Sequence, residues 1–140
     1  MCFLKRATVL LALTLFARVS LGQQLNVDLT LAYNVYVIGE PVLVQIEALN
    51  ATRDLVGVGS PESKDQVLIE ITKDGQYNPV RAISDGPVAG AFRLKPSQTI
   101  RHKVELDKRF SLLQEGKYVV RAVFVHAGMR YESSKKSFDI

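Results

Sequence analysis

Apolar residues recur at every second position along most of residues 23–140, and no stretch there carries the three-and-four spacing of an amphipathic helix. Leu25, Val27, Leu29, Leu31 and Tyr33 alternate with Asn26, Asp28, Thr30, Ala32 and Asn34. Val42, Val44, Ile46 and Ala48 alternate with Leu43, Gln45, Glu47 and Leu49. Val67, Ile69 and Ile71 share one face of a further segment, as do Ile100, His102, Val104 and Leu106. Lys117 to Val125 is the strongest strand, Tyr131 to Ile140 is the last, and 55–58 and 91–94 are short ones. Successive strand side chains point to opposite faces, so each segment buries one face and wets the other.

Turn residues divide these segments. Gly39 and Pro41 break the chain after the first strand, and Pro41 suits a strand start. Asn50 to Asp54 is a polar turn, and 59–64 is a loop. Asp74-Gly75 is a hairpin signal, with Tyr77 to Ile83 expected to return antiparallel at an edge because of Pro79. Ser84 to Gly90 is a Gly/Pro loop, Lys95 to Gln98 a turn, and His126-Ala127-Gly128 another. Only Asp107 to Gln114 has room for a single helical turn. About seven to nine short strands at this spacing predict an all-β fold, an antiparallel β-sandwich. The expected core is Val27, Leu29, Leu31, Val44, Ile46, Val67, Ile69, Val104, Leu106, Tyr118, Val120, Ala122 and Phe124.

Residues 1–22 read as a cleaved secretory signal peptide, leaving 23–140 as one domain. Lys5 and Arg6 precede an apolar run, Ala7 to Ala17, and Ser20 and Gly22 are the small residues before the cut. That run is well short of the roughly 20 residues that span a bilayer, so no membrane span is expected in the mature chain. Cys2 leaves with the signal. Residues 23–140 hold no cysteine, which excludes a disulfide framework and a His/Cys metal cage.

Of 18 basic residues, Lys5, Arg6 and Arg18 are lost on cleavage, leaving 15 against 14 acidic ones. That near-neutrality weighs against a nucleic-acid partner. Charge is uneven: residues 23–90 are acid-rich and 91–140 base-rich, and pairing of distant segments across a sheet is expected to cancel the two.

Three stretches carry a resemblance: Tyr36-Val37-Ile38-Gly39-Glu40-Pro41-Val42-Leu43-Val44 leading to Leu49-Asn50; Leu94-Lys95-Pro96 followed by Leu106-Asp107; and Phe110-Ser111-Leu112 with Gly116 to Ala122. Together they resemble the immunoglobulin-like sandwich modules of bacterial secreted proteins. Macroglobulin-type domains, the BsuPI proteinase-inhibitor type, and β-domains accompanying deuterolysin-like metalloproteases are similar. The resemblance implies an immunoglobulin-like sandwich and a secreted or periplasmic address. It leaves function open, because such folds host many tasks. Tyr118, at the entry of the strongest strand, fits a tyrosine corner, in which the hydroxyl returns to upstream backbone.

No catalytic constellation emerges. His102 reads as a half-buried strand histidine and His126 as an exposed loop one. There is no nucleophile elbow, no dinucleotide loop at Gly57-Val58-Gly59 and no calcium-loop spacing, so no catalytic, cofactor or metal residue is expected. Asn50-Ala51-Thr52 is a glycosylation sequon. The one unusual feature is Val119, Arg121, Val123 and Val125 on the outward side of the strongest strand, rimmed by Lys117 and Arg130. Three valines there suggest a face that meets a protein partner. The leading expectation is therefore a secreted or periplasmic, non-enzymatic binding or scaffold module acting through a sheet face or loops. The alternative is a protease inhibitor presenting the 84–90 loop, and a small periplasmic enzyme comes third.

Overall fold

The alternating positions fold as strands, and no helix forms among residues 25–58, 65–84 and 88–140, which the computed structural model describes. The expected signal segment, the loop at 59–64 and the middle of the 84–90 loop lie outside those residues. Nine strands run β1 (Leu25–Leu31), β2 (Leu43–Asn50), β3 (Val56–Val58), β4 (Gln66–Lys73), β5 (Phe92–Leu94), β6 (Thr99–Glu105), β7 (Lys117–His126), β8 (Met129–Glu132) and β9 (Lys136–Asp139). One sheet has the order β1-β2-β6, a short pair joins β3 to β5, and the third sheet sets β7 between β4 and the β8/β9 edge. Every strand pairing is antiparallel.

The chain after β1 reaches the other sheet. After Leu31 the chain leaves β2, and the Tyr36 N–H donates to the Asp139 carbonyl at 2.9 Å while the Asp139 N–H donates to Asn34. Val35 thus forms a parallel bridge with β9. Tyr36 is buried there, edge-on to Phe138 at 5.7 Å, and Phe138 stacks on Tyr118 at 5.4 Å. Burial of large apolar side chains of this kind contributes roughly 1.5–3 kcal/mol each.

Eleven of the thirteen core positions read from the sequence are buried, while Val27 and Leu31 are half-buried against the same core. Tyr36, Val42, Val56, Val58, Ile71, Leu94, Leu112 and Phe138 join them. The single turn after β6 forms, its Phe110 N–H donating to Leu106. Two expectations fail. Tyr77 to Ile83 is not a returning strand; only the Thr72–Pro79 and Ala82–Phe110 bridges form. Pro79 has no N–H to extend a ladder; Val80 donates its N–H to Ile71 of β4, and the chain then turns to bond Arg109 and Ser111 through Ile83 and Arg81. Nor is Tyr131 to Ile140 one strand. Val123 faces Glu132 and Val120 faces Lys136, so Arg121 and Ala122 oppose the three residues 133–135. This is a bulge. Buried Ser133 fills it, its Oγ accepting the Ala122 N–H at 3.0 Å.

Two polar side chains fix the loops. The Tyr118 hydroxyl donates to the Gln114 carbonyl at 2.6 Å, the corner expected from the sequence. The turn it closes needs Gly116, whose φ is +145° and whose added Cβ would lie 2.6 Å from Lys73 Cε. Burial pushes the Tyr118 phenol above its ordinary pKa, against the opposing effect of that hydrogen bond. Asn50 is fully buried; its Nδ2 donates to the carbonyls of Asp54 and Leu94 and its Oδ1 accepts from the Thr52 N–H and hydroxyl. The sequon residues are therefore a structural knot joining β2 to β5, with no room for a glycan.

Removing only the hydroxyl in Tyr118→Phe is expected to lower unfolding free energy by about 0.5–1.5 kcal/mol. Tyr118→Ala, which also removes the stacked ring, should lose about 3–5 kcal/mol. Urea titrations of both variants check this, and equal small losses would refute the corner.

Asn50→Ala strips the donor from two carbonyls and should destabilise by about 2–4 kcal/mol. Folded protein from a glycosylating host should carry no sugar on Asn50 by intact mass.

Candidate binding surfaces

The outward face of β7 is not the exposed apolar strip that the sequence suggests. Val123 has 0% exposure, Val119, Arg121 and Val125 are half-buried, and Lys117 is exposed at the strand start. Register explains the burial. Val123 lies between Leu68 of β4 and Glu132 of β8. Arg130 stands opposite Val125 and Glu70 opposite Arg121, so the Arg130–Glu70 ion pair, at 2.7 Å, crosses β7 at the level of Val123. Arg121 completes the cover, reaching Glu70 at 2.7 Å and Glu132 at 2.6 Å. Arg130 thus roofs the patch rather than rimming it. The Arg130 hydrogen bond, with help from Arg121 and against the opposing effect of burial, holds the Glu70 carboxyl below its ordinary pKa.

This network also answers the uneven charge of the chain. Glu70 from the acid-rich half meets Arg121 and Arg130 from the base-rich half, and Glu47 meets Arg101 at 2.7 Å. Asp65 holds His126 at 2.8 Å and accepts the Ala127 N–H at 3.0 Å. His126 is therefore half-buried in the β7–β8 turn, not an exposed loop residue.

The apolar surface that does face water lies on the crossover segment. Tyr33, Val35 and Val37 are 69%, 69% and 67% exposed, alternating with the inward Tyr36. The bonds to Asp139 tie the backbone at Asn34 and Tyr36, on either side of Val35, to β9. The strip continues past exposed Ile38 into a cleft of about 260 Å³. Exposed Ile83 and Leu113 stand at its mouth, with Phe110, Leu112 and Ile140 beneath. The sequence signal was present in Tyr33, Val35 and Val37, but alternation alone does not say which face meets a core.

The remaining candidates are separated. Ser84 is exposed and Val88 and Ala89 are buried, so one flank of the proposed inhibitor loop is anchored in the core. His102 is half-buried on β6, and its ring makes no hydrogen bond among the described residues. No group of three metal-ligating side chains forms among the described residues, and no helix there is long and apolar enough to cross a membrane.

Val123→Lys is expected to destabilise by about 3 kcal/mol or more, because a cation would replace a side chain without solvent access. Since the folded pKa of Glu70 is lowered, its stabilisation is full above the ordinary carboxylate range and is lost as pH falls through the folded value. Glu70→Gln should therefore make stability less sensitive to acid. Denaturation at several pH values checks both; an unaltered acid limb would refute the role of Glu70.

No protein-family model matches this chain, and no curated protein does. In fold it is similar to the sporulation control protein Spo0M from Bacillus subtilis, with a TM-score of 0.52 at 14% identity over 82% of this chain and 48% of that one. The chain spans about half the length of that protein, and at such identity the likeness concerns the fold alone.

Proposed function

We propose that this chain is an exported, immunoglobulin-like β-sandwich module that works by binding another protein and not by catalysis. The order of charged, apolar and small residues in 1–22 supports export to a secreted or periplasmic address. The sandwich reading is supported by a first strand paired with β2, a following segment bridged to β9, and a core that both sheets line. The binding reading rests on one observation: the Tyr33, Val35 and Val37 side chains are exposed on an ordered, hydrogen-bonded backbone. A contiguous apolar strip that leads into a cleft marks a contact surface more than a solvated one. The partner that fits it presents apolar side chains of its own, one of them able to enter the cleft beside Ile83 and Leu113.

The test pairs folding with capture. Val35→Asp should keep its circular dichroism and lie within about 0.5 kcal/mol of the native protein, as an exposed change does. It should lose the envelope protein that the native chain captures, because docking would desolvate the new carboxylate. Gln66→Glu, exposed on β4, should retain that partner. Capture that survives Val35→Asp, or a mature mass that still includes residues 1–22, would overturn the reading.

A further inference from the structure

The cleft at the end of the apolar strip asks more of its occupant than apolarity. Phe110 and Leu112 lie in its floor, but the two charged side chains in its lining, Glu40 and Asp107, are both acids. They come from separate elements: Glu40 from the bend that ends the crossover segment, Asp107 from the turn after β6. One backbone bond holds each. Glu40 Oε2 accepts the Val37 N–H at 2.9 Å, and Asp107 Oδ1 accepts the Val42 N–H at 3.0 Å. A backbone N–H orients a carboxylate without neutralising it, and neither acid forms an ion pair among the described residues. Lys108 and Arg109, which follow Asp107, line a different cleft. Glu105 holds Lys108 there at 2.6 Å; that hydrogen bond is the main cause that raises the Lys108 pKa, and Asp107 is the least.

Size and chemistry together narrow the occupant. At about 260 Å³ the cleft is smaller than the roughly 300–1,000 Å³ of small-molecule sites, so it suits a single side chain. An apolar floor beside two carboxylates matches a side chain with an aliphatic stem and a cationic head. Carboxylates on two different elements favour arginine over lysine. A guanidinium presents five N–H donors in a planar fork and is more weakly hydrated than an ammonium group, so it gives up less on leaving water.

We propose that the cleft receives an arginine side chain of the partner protein, whose flanking apolar residues lie on the strip at Tyr33, Val35 and Val37. The proposal rests on the strip being a contact surface, as argued above. The arginine stem packs on Phe110 and Leu112. Its guanidinium donates to Asp107 Oδ2 and Glu40 Oε1, the oxygens that Val42 and Val37 leave open. Apolar contact along the strip supplies affinity, and the two acids supply selection. An acidic side chain in the cleft is repelled, and a neutral one leaves both carboxylates desolvated without a partner.

The test is fluorescence anisotropy with an end-blocked peptide of alternating valine and serine that carries one central arginine, and with counterparts carrying lysine, citrulline or glutamate there. Citrulline keeps the shape of arginine and loses its charge. The arginine peptide should bind, the citrulline peptide roughly tenfold more weakly, the lysine peptide between them, and the glutamate peptide not at all. Asp107→Asn and Glu40→Gln keep an oxygen for the Val42 and Val37 N–H groups, so circular dichroism should be unchanged. Each should weaken the arginine peptide by about two- to fivefold. With both changes together the arginine and citrulline peptides should bind alike. Asp28→Asn, an equal loss of charge at an exposed position of β1, should have no effect. No binding of the arginine peptide, equal binding of the arginine and citrulline peptides by the native chain, or an arginine preference that survives loss of both carboxylates would overturn the proposal. Equal binding of the lysine peptide would overturn the choice of arginine. Val35→Ser alters the strip without adding charge and should weaken the arginine and citrulline peptides by the same factor. An arginine preference with neither peptide weakened would refute the strip as a contact and uphold the cleft. Equal native binding of the two, lost in Val35→Ser, would do the reverse.

Discussion

Residues 23–140 contain no cysteine, so two sheets must be joined without a covalent tie. The aromatic stack of Tyr36, Phe138 and Tyr118 supplies the join. Tyr118 comes from β7, Phe138 from β9 and Tyr36 from the crossover segment, whose hydroxyl also reaches the Leu43 carbonyl of the other sheet at 3.4 Å. Three distant parts of the chain therefore order one another. The exposed strip at Tyr33, Val35 and Val37 depends on this stack, because Tyr36 pins the backbone that displays it. Packing here sets which apolar side chains meet water as well as the stability.

Electrostatics acts at a second level. The acid-rich first half and base-rich second half come together mainly across β4, β7 and β8, where each carboxylate serves more than one guanidinium. Individually exposed ion pairs contribute little, but a network that also excludes water from a valine does more than any single pair.

Much of the fold was legible because the period of two is a direct consequence of strand geometry. It gave the strand segments, most of the core and the Tyr118 corner. It failed where one strand's outward face is covered by side chains from its neighbours. Val123 is such a case: alternation correctly points it away from the core, but burial there comes from Arg130 and Glu70, which lie far apart in sequence. His126 escaped for the same reason, since its partner Asp65 is a long-range contact. The 77–83 segment misled because a turn signal was given more weight than Pro79. At Asn50 the sequence leaves glycosylation open, because sequon and buried polar knot share the same residues and only the burial separates them.

The bulge at 133–135 has a consequence for how this chain can vary. On β8 the even-numbered Arg130 and Glu132 face outward, yet on β9 the even-numbered Phe138 is buried against Tyr118. A continuous strand cannot do both, because parity fixes the side. The extra residue inverts the parity, so that Tyr131 and Phe138, separated by an odd interval, are both turned toward the core. Point substitutions around Ser134 and Lys135 leave that inversion intact. Loss or gain of a single codon there does not: it would turn Phe138 out while leaving β8 in place. The stretch at Ser134 and Lys135 is therefore tolerant in composition and intolerant in length, the reverse of what a surface-exposed loop usually permits.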